Sequence, residues 1–365
     1  MAGDNSLTTT DKLLYLGRLA WSQARLPVAL LRLSIAAEHL RERAFPRGAL
    51  LAREGEAMTS CYVLARGRVR LSRRGVVLGE AERGSLVGLE PLLAQDHLGI
   101  GVVAETDVLA LQLDSDTLLG ILGDHFPLVH EGIRAATRRL LALIQRLPGL
   151  RDDATGLLFP PPSGRPMNLA EVLLFLRTPG GPFERSSIDA LAELAVACTL
   201  SPFERGHVFW RAGDRACRIG LVVDGHVACT STRARGACSW RVGPGRSLGV
   251  LEAAAGEPRW FDAVAETRGL VLEQDVESLA DLYEDNVDLA LDYLAWVSRT
   301  TLHLIERELG PGRELLELLT TLAASETPAA SAREPREERA PESEPPRGSG
   351  TRSPERSEGP REAHE

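Results

Sequence analysis

The chain has 365 residues, 44% hydrophobic and 25% charged, and 51 acidic against 42 basic side chains give a net charge of −9. Such a composition suits two or three folded domains and argues against a general nucleic-acid binder. A single lysine, Lys12, rules out a Walker A phosphate loop and a kinase-type strand lysine, and leaves a Schiff-base enzyme only that one residue.

In chain order, Met1-Ala-Gly-Asp-Asn-Ser carries no basic n-region, so no secretory signal is expected. Leu13 to Ile35 is apolar but is interrupted by Arg18, Arg25 and Arg32. A membrane span needs ~20 apolar residues with few charges, so this stretch reads as an amphipathic helix, and no membrane association is expected. Short strands follow. Arg68-Val69-Arg70-Leu71-Ser72 alternates polar and apolar as a half-buried strand does, and glycine turns recur about every ten residues, the rhythm of a barrel or jelly roll. After Asp114 the period becomes helical, with Ile133, Leu140, Ile144 and Leu147 on one face. Phe159-Pro-Pro-Pro-Ser-Gly-Arg-Pro166 marks a proline-rich linker within 148–170. A second body occupies 171–309 and ends in a helix bearing Val287, Leu291, Leu294, Thr301 and Ile305. The helices 128–147 and 287–309 are near-heptad. They are expected to pair with each other or with another chain, as a homodimer or with a protein partner, or else to cover their own barrels. A short helix is expected over 310–323. Residues 324–365 are rich in Pro, Glu, Arg and Ser and are expected to be a disordered tail. The five cysteines, Cys61, Cys198, Cys217, Cys229 and Cys238, form no CxxC pair and read as small buried hydrophobes in a reducing, cytoplasmic compartment.

The two bodies repeat one another. Phe45-Pro-Arg-Gly48 recurs as Phe203-Glu-Arg-Gly206, Glu54-Gly55-Glu56 as Ala212-Gly213-Asp214, and Ala65-Arg66-Gly67 as Val223-Asp224-Gly225, all at an offset of 158. The offset then becomes 161: Gly84 and Gly88 match Gly245 and Gly249, and Ala104-Glu105-Thr106 matches Ala265-Glu266-Thr267. The three extra residues fit the hairpin tip Thr230-Ser-Thr-Arg-Ala-Arg-Gly236. The lead-in Leu13-Leu-Tyr-Leu16 corresponds to Leu173-Leu-Phe-Leu176.

This order of Phe-Pro-x-Gly, Glu-Gly-Glu or Ala-Gly-Asp, a strand ending in Gly, Gly-x-x-x-Gly, and Ala-x-Thr followed by a helix resembles the cyclic-nucleotide-binding domain. That family includes the bacterial catabolite-activator regulators and the regulatory subunits of cyclic-AMP-dependent protein kinase. The resemblance covers 11–147 and 171–309. It implies a mainly β fold with flanking helices (α+β): two tandem eight-stranded jelly-roll barrels, each with N- and C-terminal helices, followed by the disordered tail. In the family a short helical cassette binds the cyclic phosphate through backbone N–H groups and an arginine, while a glutamate takes the ribose hydroxyl.

Carried onto the second copy, the resemblance implies a ligand site at Gly249, Val250, Leu251, Glu252, Arg259 and Trp260. Arg259 stands where the family's arginine stands, and Val250 replaces the ribose glutamate, with Glu252 two residues on. Trp296 and Thr300, on the helix after the barrel, are expected to cover a base. In the first copy Leu89 and Leu98 replace the glutamate and the arginine, and His97 cannot supply a bidentate fork; that copy reads as a degenerate interaction module. The expected ligand is cyclic AMP or cyclic GMP, with no other cofactor and no metal.

Three other patterns read as decoys. Gly245-Arg-Ser247-Leu-Gly249, with Asp262 or Asp275 and His303, matches a nucleophile elbow but lacks the doubly wound sheet that motif needs. His130-Glu131 has no second histidine at Arg134. Arg73-Arg74-Gly75-Val76 reads as a solvated turn. After Leu309 only Glu314-Leu-Leu-Glu-Leu-Leu-Thr-Thr-Leu322 remains before the tail, too little for a helix-turn-helix, so no direct DNA binding is expected. The reading is a bacterial, non-enzymatic sensor or regulatory protein of signal transduction. Its alternatives are a Crp/Fnr-type regulator acting through a separate DNA-binding partner, and a serine hydrolase using Ser247.

Overall fold

The computed structural model describes residues 37–146, 167–177, 181–231 and 238–322. The expected linker, the lead-in at 13–16, most of the hairpin tip and the tail lie outside these residues. In the first copy eight strands run in order: β1 (Arg41–Phe45), β2 (Leu50–Ala52), β3 (Ser60–Arg66), β4 (Arg68–Arg73), β5 (Val76–Glu82), β6 (Ser85–Val87), then α1 (Leu89–Leu93), β7 (Gly101–Ala104) and β8 (Val108–Asp114). Helices α2 (Ser115–Asp124) and α3 (Phe126–Arg146) follow. The second copy begins with α4 (Leu169–Leu176) and α5 (Ile188–Ala197). It continues with β9 (Thr199–Phe203), β10 (Val208–Trp210), β11 (Arg218–Asp224), β12 (Val227–Ser231), β13 (Cys238–Val242), β14 (Ser247–Leu248), α6 (Val250–Ala255), β15 (Asp262–Ala265) and β16 (Gly269–Asp275). Helices α7 (Val276–Asp285), α8 (Val287–Glu308) and α9 (Arg313–Leu319) and a last strand β17 (Thr320–Leu322) complete it.

Each copy is two antiparallel four-stranded sheets in the same order. β1-β8-β3-β6 and β2-β7-β4-β5 in the first answer to β9-β16-β11-β14 and β10-β15-β12-β13 in the second. The repeat holds bond by bond. The Gly48 N–H donates to the Ala104 carbonyl as Gly206 does to Ala265, and Gly84 donates to Leu64 as Gly245 does to Val222. The N–H of Arg68 donates to the Thr106 hydroxyl as that of His226 does to Thr267. Alternation along β4 buries Val69 and Leu71 and exposes Arg68 and Arg70, the one-sided pattern a barrel wall requires.

Two features join the copies. The apolar faces of α3 and α8 pack on each other, with Gly132 of α3 against the Leu294 methyls. Of the fates expected for these helices, pairing with each other is seen within the chain. Second, α9 and β17 return to the first copy. β17 adds a fifth strand beside β6, pairing Thr320 with Val87 and Leu322 with Ser85. Leu315, Leu318 and Leu319 of α9 are buried, and Leu316 presses on Gly79 of β5. One apolar core therefore runs through both copies, from Leu64 and Val69 through Ile133 and Leu140 to Leu294, Leu302 and Trp260.

Candidate functional site

In the second copy, β14 ends at Gly249, whose positive φ of 74° turns the chain directly into α6. No side chain fits at Gly249: a Cβ would collide with the guanidinium of Arg259 and the indole of Trp210. Arg259 is 1% exposed. Its Nη1 donates to the Gly249 carbonyl at 2.5 Å and lies 3.4 Å from Oε2 of Glu252, and its Nη2 donates to the carbonyl of Arg218. The guanidinium carbon stands 3.9 Å over the Trp210 ring, a cation–π arrangement. Burial lowers the Arg259 pKa, an effect that Glu252 partly reverses. Burial also holds the Glu252 carboxyl above its ordinary 4.5, with Arg259 pulling it back toward the ionised form.

Beside this pair the barrel interior keeps a cavity of only about 40 Å³, far below the about 300 Å³ at which small-molecule sites begin. Trp240, Trp260 and Phe261 fill its barrel side. The two indoles stack at 5.2 Å, and Trp240 meets Phe261 edge-on at 4.8 Å. The opposite wall is Leu141 and Ile144, which belong to α3 of the first copy.

The equivalent position in the first copy is Leu98. Its carbonyl accepts from Gly55 N–H at 2.8 Å, as the Arg259 carbonyl does from Gly213, while its side chain is 42% exposed. Glu90 of α1 is buried and pairs with Arg139 of α3 at 3.0 Å. A guanidinium is nevertheless buried here. Arg73 donates to Asp96 at 2.5 Å, to the Gly99 carbonyl at 2.6 Å, and to Glu306 of α8. Burial opposes its charge, but the hydrogen bonds to Glu306 and Asp96 prevail and its pKa is raised. This corrects the reading of Arg73-Arg74-Gly75-Val76 as a solvated turn. Arg74 and Gly75 form the turn, but Arg73 shares the inward phase of Val69 and Leu71 on β4.

The copies close each other's cassettes reciprocally. Nε of Arg138 on α3 donates to the carbonyl of Ala255 at the end of α6 at 3.0 Å. Nε of Arg299 on α8 donates to the carbonyl of Ala94 at the end of α1 at 3.2 Å. Donors and acceptors are both related by the repeat offset of 161. Over the first cassette the seal is doubled, because the N–H of Gly88 also donates to Leu319 of α9 at 3.2 Å.

Residues 42–125 and 200–286 each match the family model for the cyclic nucleotide-binding domain. The chain carries two cyclic nucleotide-binding domains in tandem. Solved structures similar to it include the regulatory subunit of a cAMP-independent protein kinase A from Trypanosoma brucei, at 18% identity over 78% of this chain and 90% of that one, with a TM-score of 0.31. The regulatory domain of Toxoplasma gondii PKA with cAMP shares 17% identity over 78% and 94%, with a TM-score of 0.30. The N-terminal domain of a transcriptional regulator from Streptomyces coelicolor shares 24% over 34% and 90%, with a TM-score of 0.32. No curated protein matches the chain.

Of the residues expected at the second domain's cassette, Gly249, Val250, Leu251, Glu252 and Trp260 line the small cavity and Arg259 abuts Gly249 and Glu252. Trp296 is placed differently. Its ring lies 5.7 Å from Tyr293 and borders a second, larger cavity on the other side of Val250. Thr300 is half-buried and lines neither cavity. The hydrolase pattern lacks its setting. Ser247 pairs with Leu221 in an antiparallel sheet, Asp275 caps α7, Asp262 accepts from Ala212 N–H, and His303 is exposed. Leu141, Ile144 and the Arg138–Arg299 pair were missed from sequence, because they meet their cassettes across the copies. Among the described residues no cluster of His, Cys, Asp or Glu could hold a metal, and no helix is long and apolar enough to cross a membrane.

Proposed function

We propose that the chain is a non-enzymatic regulatory protein of signal transduction whose second domain is the ligand-responsive half and whose first domain is an interaction module. The ligand class is a cyclic nucleotide, cyclic AMP or cyclic GMP. The observation that carries this is Arg259, a buried cation at the cassette whose one anionic hydrogen-bond partner among the described residues is Glu252. A cyclic phosphate takes the place of the Glu252 carboxylate on that guanidinium, a charge-assisted exchange that suits arginine's planar fork. The sugar and base then need the space held by Leu141 and Ile144, so binding in the second domain moves α3 of the first. The cassette thus works as a latch between the domains rather than as an open receptor.

Calorimetric titration of cyclic AMP and cyclic GMP into the full chain tests this. One site is expected, weakened roughly 10- to 150-fold by Arg259→Ala, the range for losing a charge-assisted hydrogen bond. Glu252→Gln, which removes the competing charge, is expected to bind more tightly than the native chain. No heat with either nucleotide in the native chain and in Glu252→Gln would overturn the reading.

A further inference from the structure

The larger cavity, about 410 Å³, lies behind the cassette helix of the second domain, between the outer face of its barrel and its flanking helices. That volume falls in the range of small-molecule sites, about 300–1,000 Å³. Its walls are mainly apolar and aromatic, with Phe183, Leu272, Tyr283 and Trp296 among them, Ala253 and Ala254 form its cassette side, and His130, Arg134, Arg215 and Glu277 also border it. Two neutral polar groups in its lining are buried without a hydrogen-bond partner among the described residues, the Tyr293 hydroxyl and the Gln274 side chain, and of the two only the amide sets a donor beside an acceptor. Gln274 on β16 is 4% exposed and lines the cavity, and among the described residues neither its Oε1 nor its Nε2 has a hydrogen-bond partner. A buried side-chain amide without partners is a cost that folded proteins rarely carry without a reason. The first domain does not carry it: the residue at the repeat offset is Leu113, packed in the apolar cluster with Cys61 and Ile121.

We propose that this cavity is a second binding site, for an uncharged, largely apolar or aromatic small molecule that presents one amide-type edge, a donor beside an acceptor, to Gln274. The mainly apolar lining favours an uncharged body over a charged one, and the primary amide of Gln274 offers one acceptor and one donor side by side, the complement of a carboxamide or lactam edge. Ser247 and Val250 border both this cavity and the small one inside the barrel. An occupant therefore stands directly behind the cassette helix, on its face away from Arg259. The proposal does not rest on nucleotide binding and stands or falls separately from it.

The test uses the full chain and two probes, 1-naphthamide and 1-ethylnaphthalene, which share an aromatic body but differ in the amide edge. The expected result is saturable 1:1 binding of 1-naphthamide, weakened about tenfold or more by Gln274→Leu, a loss of the order given by one hydrogen-bonded edge. The same variant should retain or improve binding of 1-ethylnaphthalene and should melt above the native chain, because it removes an unpartnered amide. Ala253→Phe, which fills the cavity, should abolish binding of both probes. Failure of 1-naphthamide to bind at its solubility limit would overturn the proposal. So would binding that Gln274→Leu leaves unchanged, the result expected if the amide is merely solvated by trapped water.

Discussion

Glu252 and Arg259 are both buried, burial disfavours the charge of each, and each partly offsets that for the other. The folded Glu252 carboxyl titrates above its ordinary 4.5 because burial outweighs the attraction of Arg259. The folded state therefore holds that proton more tightly than the unfolded chain. The stability this supplies is complete below about pH 4.5 and is lost as the pH rises through the folded value. Glu252→Gln lacks this loss. Its melting temperature relative to the native chain should rise as the pH goes from 4.5 toward 7 in a series of calorimetric melts, and a relative fall over that range would contradict the burial argument. Gly249 offers a second handle on the same pair. Gly249→Ala places a methyl group against the guanidinium at a φ that L-residues avoid. It should cost about 1–3 kcal/mol, the range for one residue held in left-handed backbone. Chemical denaturation would show it, and an unchanged midpoint would mean that Arg259 swings out of the way freely.

At the scale of elements, α9 and β17 are the least local part of the fold. They follow the second barrel in sequence but pack on β5, β6 and α1 of the first. Leu315, Leu318 and Leu319 are buried there, and each such leucine is worth about 1.5–3 kcal/mol as an upper estimate. A chain ending at residue 309 should therefore melt about 5 °C or more below one ending at residue 323, by the usual conversion of stability into melting temperature. Equal melting temperatures would show that the returning strand is ornamental. A short helix was expected over 310–323; a helix forms over 313–319, but Thr320–Leu322 is a strand instead, because it pairs with β6. Its destination was not legible, because nothing in a local pattern says which barrel a terminal helix joins. Arg73 is the opposite case. Its inward phase with Val69 and Leu71 was present in the alternation of β4, but a charged residue beside a Gly turn reads as surface until its partners Asp96 and Glu306 are in view.

At the scale of the molecule, the repeat was the most legible feature. Each glycine anchor of the barrels returns at its offset, and sixteen strands fall into two identical sheet orders. The cassette position was legible too, since Arg259 and Leu98 occupy equivalent turns that accept the same hydrogen bond from Gly213 and Gly55. The closure of each cassette by the opposite domain's helix lay beyond reach, because it depends on how α3 and α8 cross, and an amphipathic stripe names a buried face but not its partner. On the proposed function, that reciprocal closure means that a ligand at Arg259 is felt by α3, more than one hundred residues earlier in the chain. Hydrogen–deuterium exchange of residues 136–146 in the Glu252→Gln chain, with and without saturating cyclic AMP, tests it directly. Exchange in this segment should be faster when the nucleotide is bound, as Leu141 and Ile144 leave the cassette. Saturation with no change in 136–146 would contradict it.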